Sequence, residues 1–149
     1  MSKRIDILNG PNLNLLGTRE PEVYGSDTLK DIEAACGARA KERGLEIAFH
    51  QTNSEGELVD LIQKSSKTAA GVILNAGAYT HTSIALYDAL IACKAEVIEV
   101  HLSNPQAREE FRHDSFVAKA ALGSICGFGA KGYLFAIDAF ADRLKKATK

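Results

Sequence analysis

Gly71-Val72-Ile73-Leu74-Asn75 is a continuous apolar run closed by an amide side chain. A strand that is apolar at every position is covered on both faces, as in parallel sheets flanked by helices. Working outward, similar runs recur along the chain. Ile5-Asp6-Ile7-Leu8, Ile47-Ala48-Phe49-His50-Gln51-Thr52, Val97-Ile98-Glu99-Val100-His101 and the short Ser124-Ile125-Cys126-Gly127 read as four further strands. Helical periods separate them. Thr28-Leu29-Lys30-Asp31 and Ser54-Glu55-Gly56-Glu57 read as capping boxes, in which a hydroxyl and a carboxylate three residues on satisfy free amides at a helix start. Leu29, Ile32, Cys36 and Ala40 form one buried helical stripe, with Gly44 as its stop. Leu58, Leu61 and Ile62 face inward from the next helix, Ser83 to Cys93 makes a third, and Leu134, Ile137, Ala141 and Leu144 line a last one.

Strands alternating with helices imply right-handed βαβ crossovers and a parallel sheet with helices on both faces. Five strands suit a flavodoxin-like α/β fold of order 2-1-3-4-5, one domain over residues 1–149, with ligands bound beyond the carboxyl ends of the strands where strands 1 and 3 diverge. Composition agrees with this class: 46% hydrophobic and 25% charged residues are those of a globular protein. A net charge of -1 gives no electrostatic case for nucleic acid or an anionic membrane, and no apolar run is long enough to span a bilayer. The N-terminus enters a strand at once, so a cytoplasmic location is expected. Cys36, Cys93 and Cys126 form no CxxC pair and fit free thiols, neither a disulfide framework nor a zinc site.

The carboxyl edge is polar. Strand 1 delivers Asn9 and Asn12, strand 3 delivers Asn75 and then His81, and strand 4 carries Glu99 and His101 and then Leu102-Ser103-Asn104. This set is poor in acids that could ligate a metal and rich in neutral donors, which suits a small polyhydroxylated carboxylate. Glu99 and His101 lie at i and i+2 on a strand, so both side chains point to one face. A charged residue in an otherwise apolar, doubly covered strand needs a partner, and a glutamate beside an imidazole fixes its tautomer for general-acid work. Gly127-Phe128-Gly129-Ala130-Lys131-Gly132 matches GxGxxG formally but lacks the acidic residue about twenty positions on, and no GxxxxGK[ST] exists.

Asn9 to Gly25 is long for a connection in such a domain, where about 2–6 residues is usual. Leu13, Leu15 and Leu16 argue against simple disorder, so the segment reads as a flap that brings Arg19 and Tyr24 over a pocket. An unperturbed phenol ionises near a pKa of about 10, so base work requires a cation such as an arginine within about 4–6 Å. Judged on the loop alone, an ordinary surface loop is the better reading. Arg108 and Arg112 lie four apart, as do Glu109 and His113, so Ala107 to His113 reads on spacing alone as one exposed helical turn with i, i+4 pairing; placed just after His101, Arg112 is also a candidate anion or hydroxyl ligand. Asp88 reads as part of a solvated helix face, and a lone His81 in a loop is usually structural but becomes a plausible hydroxyl ligand next to the strand 3 edge.

Taken together, Asn9-Gly10-Pro11-Asn12-Leu13-Asn14-Leu15-Leu16-Gly17 with Arg19 and Tyr24-Gly25, Asn75-Ala76-Gly77-Ala78-Tyr79-Thr80-His81-Thr82-Ser83, and Glu99-Val100-His101-Leu102-Ser103-Asn104 with Arg108-Glu109-Glu110-Phe111-Arg112 resemble type II 3-dehydroquinate dehydratase over essentially the whole chain. The resemblance implies a cofactor-free and metal-free hydro-lyase converting 3-dehydroquinate to 3-dehydroshikimate, in the shikimate route or in quinate breakdown. It implies Tyr24 as the tyrosinate base, Arg19 as its cationic partner, Asn12 as the holder of an enolate-stabilising water, and His101, oriented by Glu99, as the acid. It further implies Asn75, Ser103 and the Leu102 amide as carboxylate ligands and His81 and Arg112 as hydroxyl ligands. Asp88 would reach the site of a neighbouring subunit in a dodecamer built from trimers. Pro105, Gln106 and Asp114 depart from the family pattern, and Pro105 stiffens the approach to Arg108. The rivals are a non-catalytic binder of a cyclic hydroxy acid on the same scaffold and a receiver or flavin module. The first would be expected to lose Tyr24 or His101; the others need acids or a hydroxyl-rich phosphate loop after strand 1, where asparagines stand.

Overall fold

A computed structural model describes residues 2–147. Strands β1 (Arg4–Asn9), β2 (Glu46–Gln51), β3 (Gly71–Asn75), β4 (Val97–His101) and β5 (Gly123–Cys126) form one sheet in the order β2-β1-β3-β4-β5. Every neighbouring pair is parallel. The expected order and class are therefore those observed. Helices α1 (Pro21–Tyr24), α2 (Leu29–Glu42), α3 (Glu55–Thr68), α4 (Ile84–Cys93) and α5 (Lys131–Ala147) complete the chain. No helix among the described residues is long and apolar enough to cross a membrane.

Alternation along the strands divides the core in two. Ile5, Ile7, Ile73, Ile98 and Val100 pack with Ile32, Cys36 and Ala40 of α2 and Ala136, Ile137 and Phe140 of α5. Leu8, Val72, Leu74 and Val97 pack on the other face with Leu58 and Ile62 of α3 and Leu86 and Leu90 of α4. Burial pushes the Cys36 thiol up to about 12, with the nearby Glu33 charge adding to it, so this group serves as an inert apolar filler. Arg39 of α2 and Arg43, just past its end, reach Asp138 of α5 at 2.6 and 3.3 Å and clasp the two helices.

Both helix starts were marked by sequence, and they differ. Thr28 and Asp31 make the reciprocal capping box. Ser54 accepts from the Glu57 amide at 3.2 Å, but the Glu57 carboxylate turns away and accepts from Thr52 Oγ1 at 2.8 Å, while the Ser54 amide donates to that same hydroxyl at 3.1 Å. Half the expected box is replaced by a threonine relay at the end of β2. At the end of α2 the Gly44 amide bonds Lys41 O and the Leu45 amide bonds Ala40 O, with Gly44 at φ +71°, a Schellman stop. The segment expected as one exposed helical turn is two 3-10 turns, Pro105–Ala107 and Glu110–Arg112. Pro105 starts the first, and Arg108 between them is extended, so i, i+4 pairing is impossible there.

Packing makes opposite forecasts for two glycines. A Cβ on Gly71 would lie 2.4 Å from Phe140 Cε1, whereas one on Gly37, inside α2, meets nothing within 4 Å. Gly71→Ala is expected to destabilise by about 1–3 kcal/mol through overpacking, and Gly37→Ala to stabilise by about 0.5–1 kcal/mol through helix propensity. Urea denaturation of the two variants checks both signs.

Candidate active site

The chain crosses from β1 into its long loop directly above β3. The Gly10 amide donates to Asn75 O at 2.8 Å, and a Cβ on Gly10 would stand 2.4 Å from Ala76 O, so only glycine permits this crossing. Asn12 follows at φ +69°, a conformation asparagine tolerates. Leu13 and Leu16 are buried in the core and pin the loop, while Leu15 is exposed. Glu20 is also left-handed and turns the chain into α1, which folds Arg19 back over Tyr24, its guanidinium carbon 4.8 Å from the ring centroid.

A second guanidinium meets the same phenol. Arg108 Nη2 donates to Tyr24 Oη at 2.9 Å, Nη1 donates to Ser103 Oγ at 3.2 Å, and its carbon lies 5.1 Å from the Tyr24 ring. Arg108 was absent from the residues singled out by sequence for a role; its signal was a charged residue just beyond His101, read there as a helix-surface charge. Gln106 explains how it is held. Its side chain donates to His113 O at 2.8 Å, and His113 Nε2 lies 3.0 Å from Arg108 O, which ties the two 3-10 turns together. The Gln106 departure thus serves the arm that carries Arg108 and Arg112. Arg112 pairs with Glu109 at i, i+3.

Glu99 is 1% exposed within β4. Its Oε2 accepts from Thr80 Oγ1 and Ser115 Oγ, both at 2.5 Å, and its Oε1 accepts from Ser124 Oγ at 2.7 Å. His101 Nε2 lies 2.9 Å from Oε2. Burial alone would raise this carboxyl, but the hydrogen bond and charge of His101 and the Ser115 and Thr80 hydroxyls outweigh it and bring the group down to about 2. An ionised carboxylate only accepts, so Nε2 of His101 carries a proton and Nδ1 is the nitrogen left for chemistry. His81 stacks 6.4 Å from His101, and its Nδ1, 2.7 Å from the Asp114 carbonyl, must likewise carry a proton.

These groups surround one cleft at the carboxyl edge. Its wall includes Asn12, Arg19 and Tyr24 from the loop, Asn75 and His81 from the end of β3, and His101, Leu102, Ser103, Arg108 and Arg112 after β4. Three guanidiniums and no carboxylate line it, so it is built for an anion. Of the residues expected from sequence, Glu99 stands behind His101, outside the lining, and Asp88 lies on the exposed face of α4, away from the cleft. Asn9, placed at this edge by sequence, is fully buried and turned inward. The glycine run after β5 tethers the site: the Gly127 and Gly129 amides donate to His101 O and Leu102 O at 3.2 and 3.0 Å. Among the described residues no group of three or more His, Cys, Asp or Glu could hold a metal ion.

Residues 3–141 match the family model for class II dehydroquinase. The chain belongs to the class II dehydroquinase family. It is 55% identical over 150 residues to the 3-dehydroquinate dehydratase of Afipia carboxidovorans, covering 100% of this chain and 99% of that one. It is 52% identical to 3-dehydroquinate dehydratase 2 of Pseudomonas aeruginosa over 99% of each. The crystal structure of the type II dehydroquinase of Propionibacterium acnes superposes with a TM-score of 0.90 at 44% identity, over 95% of this chain and 98% of that one. The sequence resemblance and the fold are thus those of one dehydroquinase family.

The Glu99 charge also sets an acid response. Its carboxyl lies below its ordinary value of 4.5, so its ionised form contributes stability that is fully present above that value and is lost as pH falls through about 2. The stability difference between wild type and Glu99→Gln is expected to be largest above pH 4.5 and to shrink toward pH 2, by about 3 kcal/mol at most. Urea midpoints of both proteins across that range check it; a pH-independent difference would contradict the assignment.

Proposed function

We propose that this chain converts 3-dehydroquinate to 3-dehydroshikimate and water, with Tyr24 as base and His101 as acid. The observation that carries this reading is the pairing of a phenol held by two guanidiniums with an imidazole held by a buried carboxylate, at one cleft lined by guanidiniums. Family membership and the names of the relatives support the substrate. Tyr24 acts as the phenolate, its charge matched by Arg108 and Arg19, which stay protonated themselves. It removes a proton from the carbon next to the ketone, and the electrons move onto the carbonyl oxygen as an enolate, stabilised by a water on Asn12. The enolate then collapses, the β-carbon–oxygen bond breaks, and His101 Nδ1–H protonates the departing hydroxyl to give water and the enone.

One proton has moved to Tyr24 and one has left His101. Because Nε2 stays bonded to Glu99, the imidazole both loses and regains its proton at Nδ1, so recharging takes place from the cleft side. Asn75, Ser103 and the Leu102 amide hold the substrate carboxylate, and His81, through Nε2, and Arg112 hold ring hydroxyls. Asp88 completes the site of a neighbouring copy in a trimer-based dodecamer. Ile84, 57% exposed, and Ile91, 51% exposed, flank Asp88 at helical spacing on α4, an apolar stripe suited to cover by a second copy. A non-catalytic binder would not need the Tyr24 and His101 arrangement.

Tyr24→Phe is expected to lower kcat by at least about a thousandfold while substrate still binds, read from the absorbance of the enone and from binding calorimetry. Retention of most turnover would remove the base assignment. For the shared site, Tyr24→Phe and Asp88→Ala subunits are unfolded together and refolded as a mixture. Activity well above either parent is expected, because some sites then receive an intact set from two chains; additive residual activity would refute a shared site.

A further inference from the structure

Beneath the cleft, a chain of hydrogen bonds runs through the sheet with its direction fixed at both ends. Asn9 Nδ2 donates to His50 O at 3.0 Å, which turns Asn9 Oδ1 toward α5. Tyr133 Oη donates to that oxygen at 2.6 Å. A phenol has one hydrogen, so Tyr133 can only accept from its other neighbour, Asn75 Nδ2 at 2.9 Å. Asn75 Oδ1 in turn accepts from the Gly77 amide at 3.2 Å. A backbone carbonyl only accepts and a backbone amide only donates, so no member can reverse alone. Asn9, Tyr133 and Asn75 are all within 2% of full burial. Burial pushes the Tyr133 phenol up, more than the Asn75 hydrogen bond lowers it, so its proton stays in place.

We propose that Tyr133 and Asn9 are positioning residues that set the polarity of the Asn75 amide, and so make the carboxylate end of the cleft selective for a hydrogen-bond acceptor. Asn75 Nδ2 carries two hydrogens and gives one to Tyr133. The second is left for the cleft that Asn75 lines. Without the Tyr133 bond only the 3.2 Å Gly77 bond would keep the amide from turning its oxygen to the cleft, where it would repel a carboxylate. The relay doubles that hold, with the selecting groups, Tyr133 and Asn9, set behind the cleft and outside its lining. The inference rests on the reading of Asn75 as a carboxylate ligand.

The test uses quinate and its carboxamide as competitive ligands against Tyr133→Phe, which removes both bonds at the phenol oxygen and keeps the ring packing. Wild type is expected to prefer the carboxylate. The variant is expected to lose about tenfold or more of that preference and to raise KM for 3-dehydroquinate similarly, with kcat changed by less than about threefold. A variant with a lower Tm but an unchanged carboxylate-to-carboxamide ratio would overturn the proposal, since packing alone predicts that result. If Tyr133→Phe does not fold, Asn9→Ala is read the same way, because it frees the Tyr133 hydroxyl to donate to Asn75 instead. Failure of wild type to turn over 3-dehydroquinate would refute the function itself; turnover with an unchanged ratio refutes only the relay.

Discussion

The negative charge buried in β4 sets the terms for everything around it. Glu99 occupies β4 opposite Leu74 on one side and Ser124 on the other, where an apolar residue would pack without penalty. An ionised carboxylate there is tolerable only when its oxygens are filled by donors. Hydroxyls arrive from three directions, Thr80 after β3, Ser115 before β5 and Ser124 in β5, and His101 comes from the same strand. These partners bring the loops after β3 and β4 together, and those loops carry the cleft.

The acid and the base stand on supports of different kinds. His101 is fixed by regular structure, since the sheet registers it beside Cys126 and Glu99 fixes its ring. Tyr24 is fixed by docking: one guanidinium comes from its own loop and the other from the arm after β4. The left-handed Glu20, in a conformation that costs a residue with a Cβ about 1–2 kcal/mol, is the turn that lets Arg19 fold back. The charge environment of the phenol therefore depends on two loops meeting, whereas that of the imidazole is built in when the sheet forms.

This difference also explains what was legible in sequence. Strand order and helix faces could be read because apolar runs and 3.6-residue stripes are local signals, and Glu99 with His101 could be paired because a strand puts i and i+2 on one face. For Arg19, Tyr24 and Arg112 the family resemblance was needed to overturn the surface reading, since nothing local tells a docked loop from a solvated one. Arg108 was passed over because its contact with Tyr24 spans 84 positions and depends on the 3-10 turns that Pro105 and Gln106 create. The second capping box failed in its carboxylate half because Thr52, outside the four-residue pattern, competed for Glu57.

Tyr133 is the clearest case of function hidden by a correct fold reading. On an amphipathic helix it counts as one more core aromatic, and by burial it is one, at 0% exposure. A core position needs only volume, which phenylalanine would supply. The hydroxyl matters because Asn9 and Asn75 each bring a polar end into the same interior, and without a mediator each amide would be held by a single backbone bond, to His50 O and from the Gly77 amide. A group with one hydrogen and free lone pairs, set between an acceptor and a donor, doubles that hold in a single arrangement. The sequence shows two asparagines at equivalent strand ends, Asn9 beside Asn75 in the parallel register, and that juxtaposition is the signal from which a polar partner on the covering helix could have been anticipated.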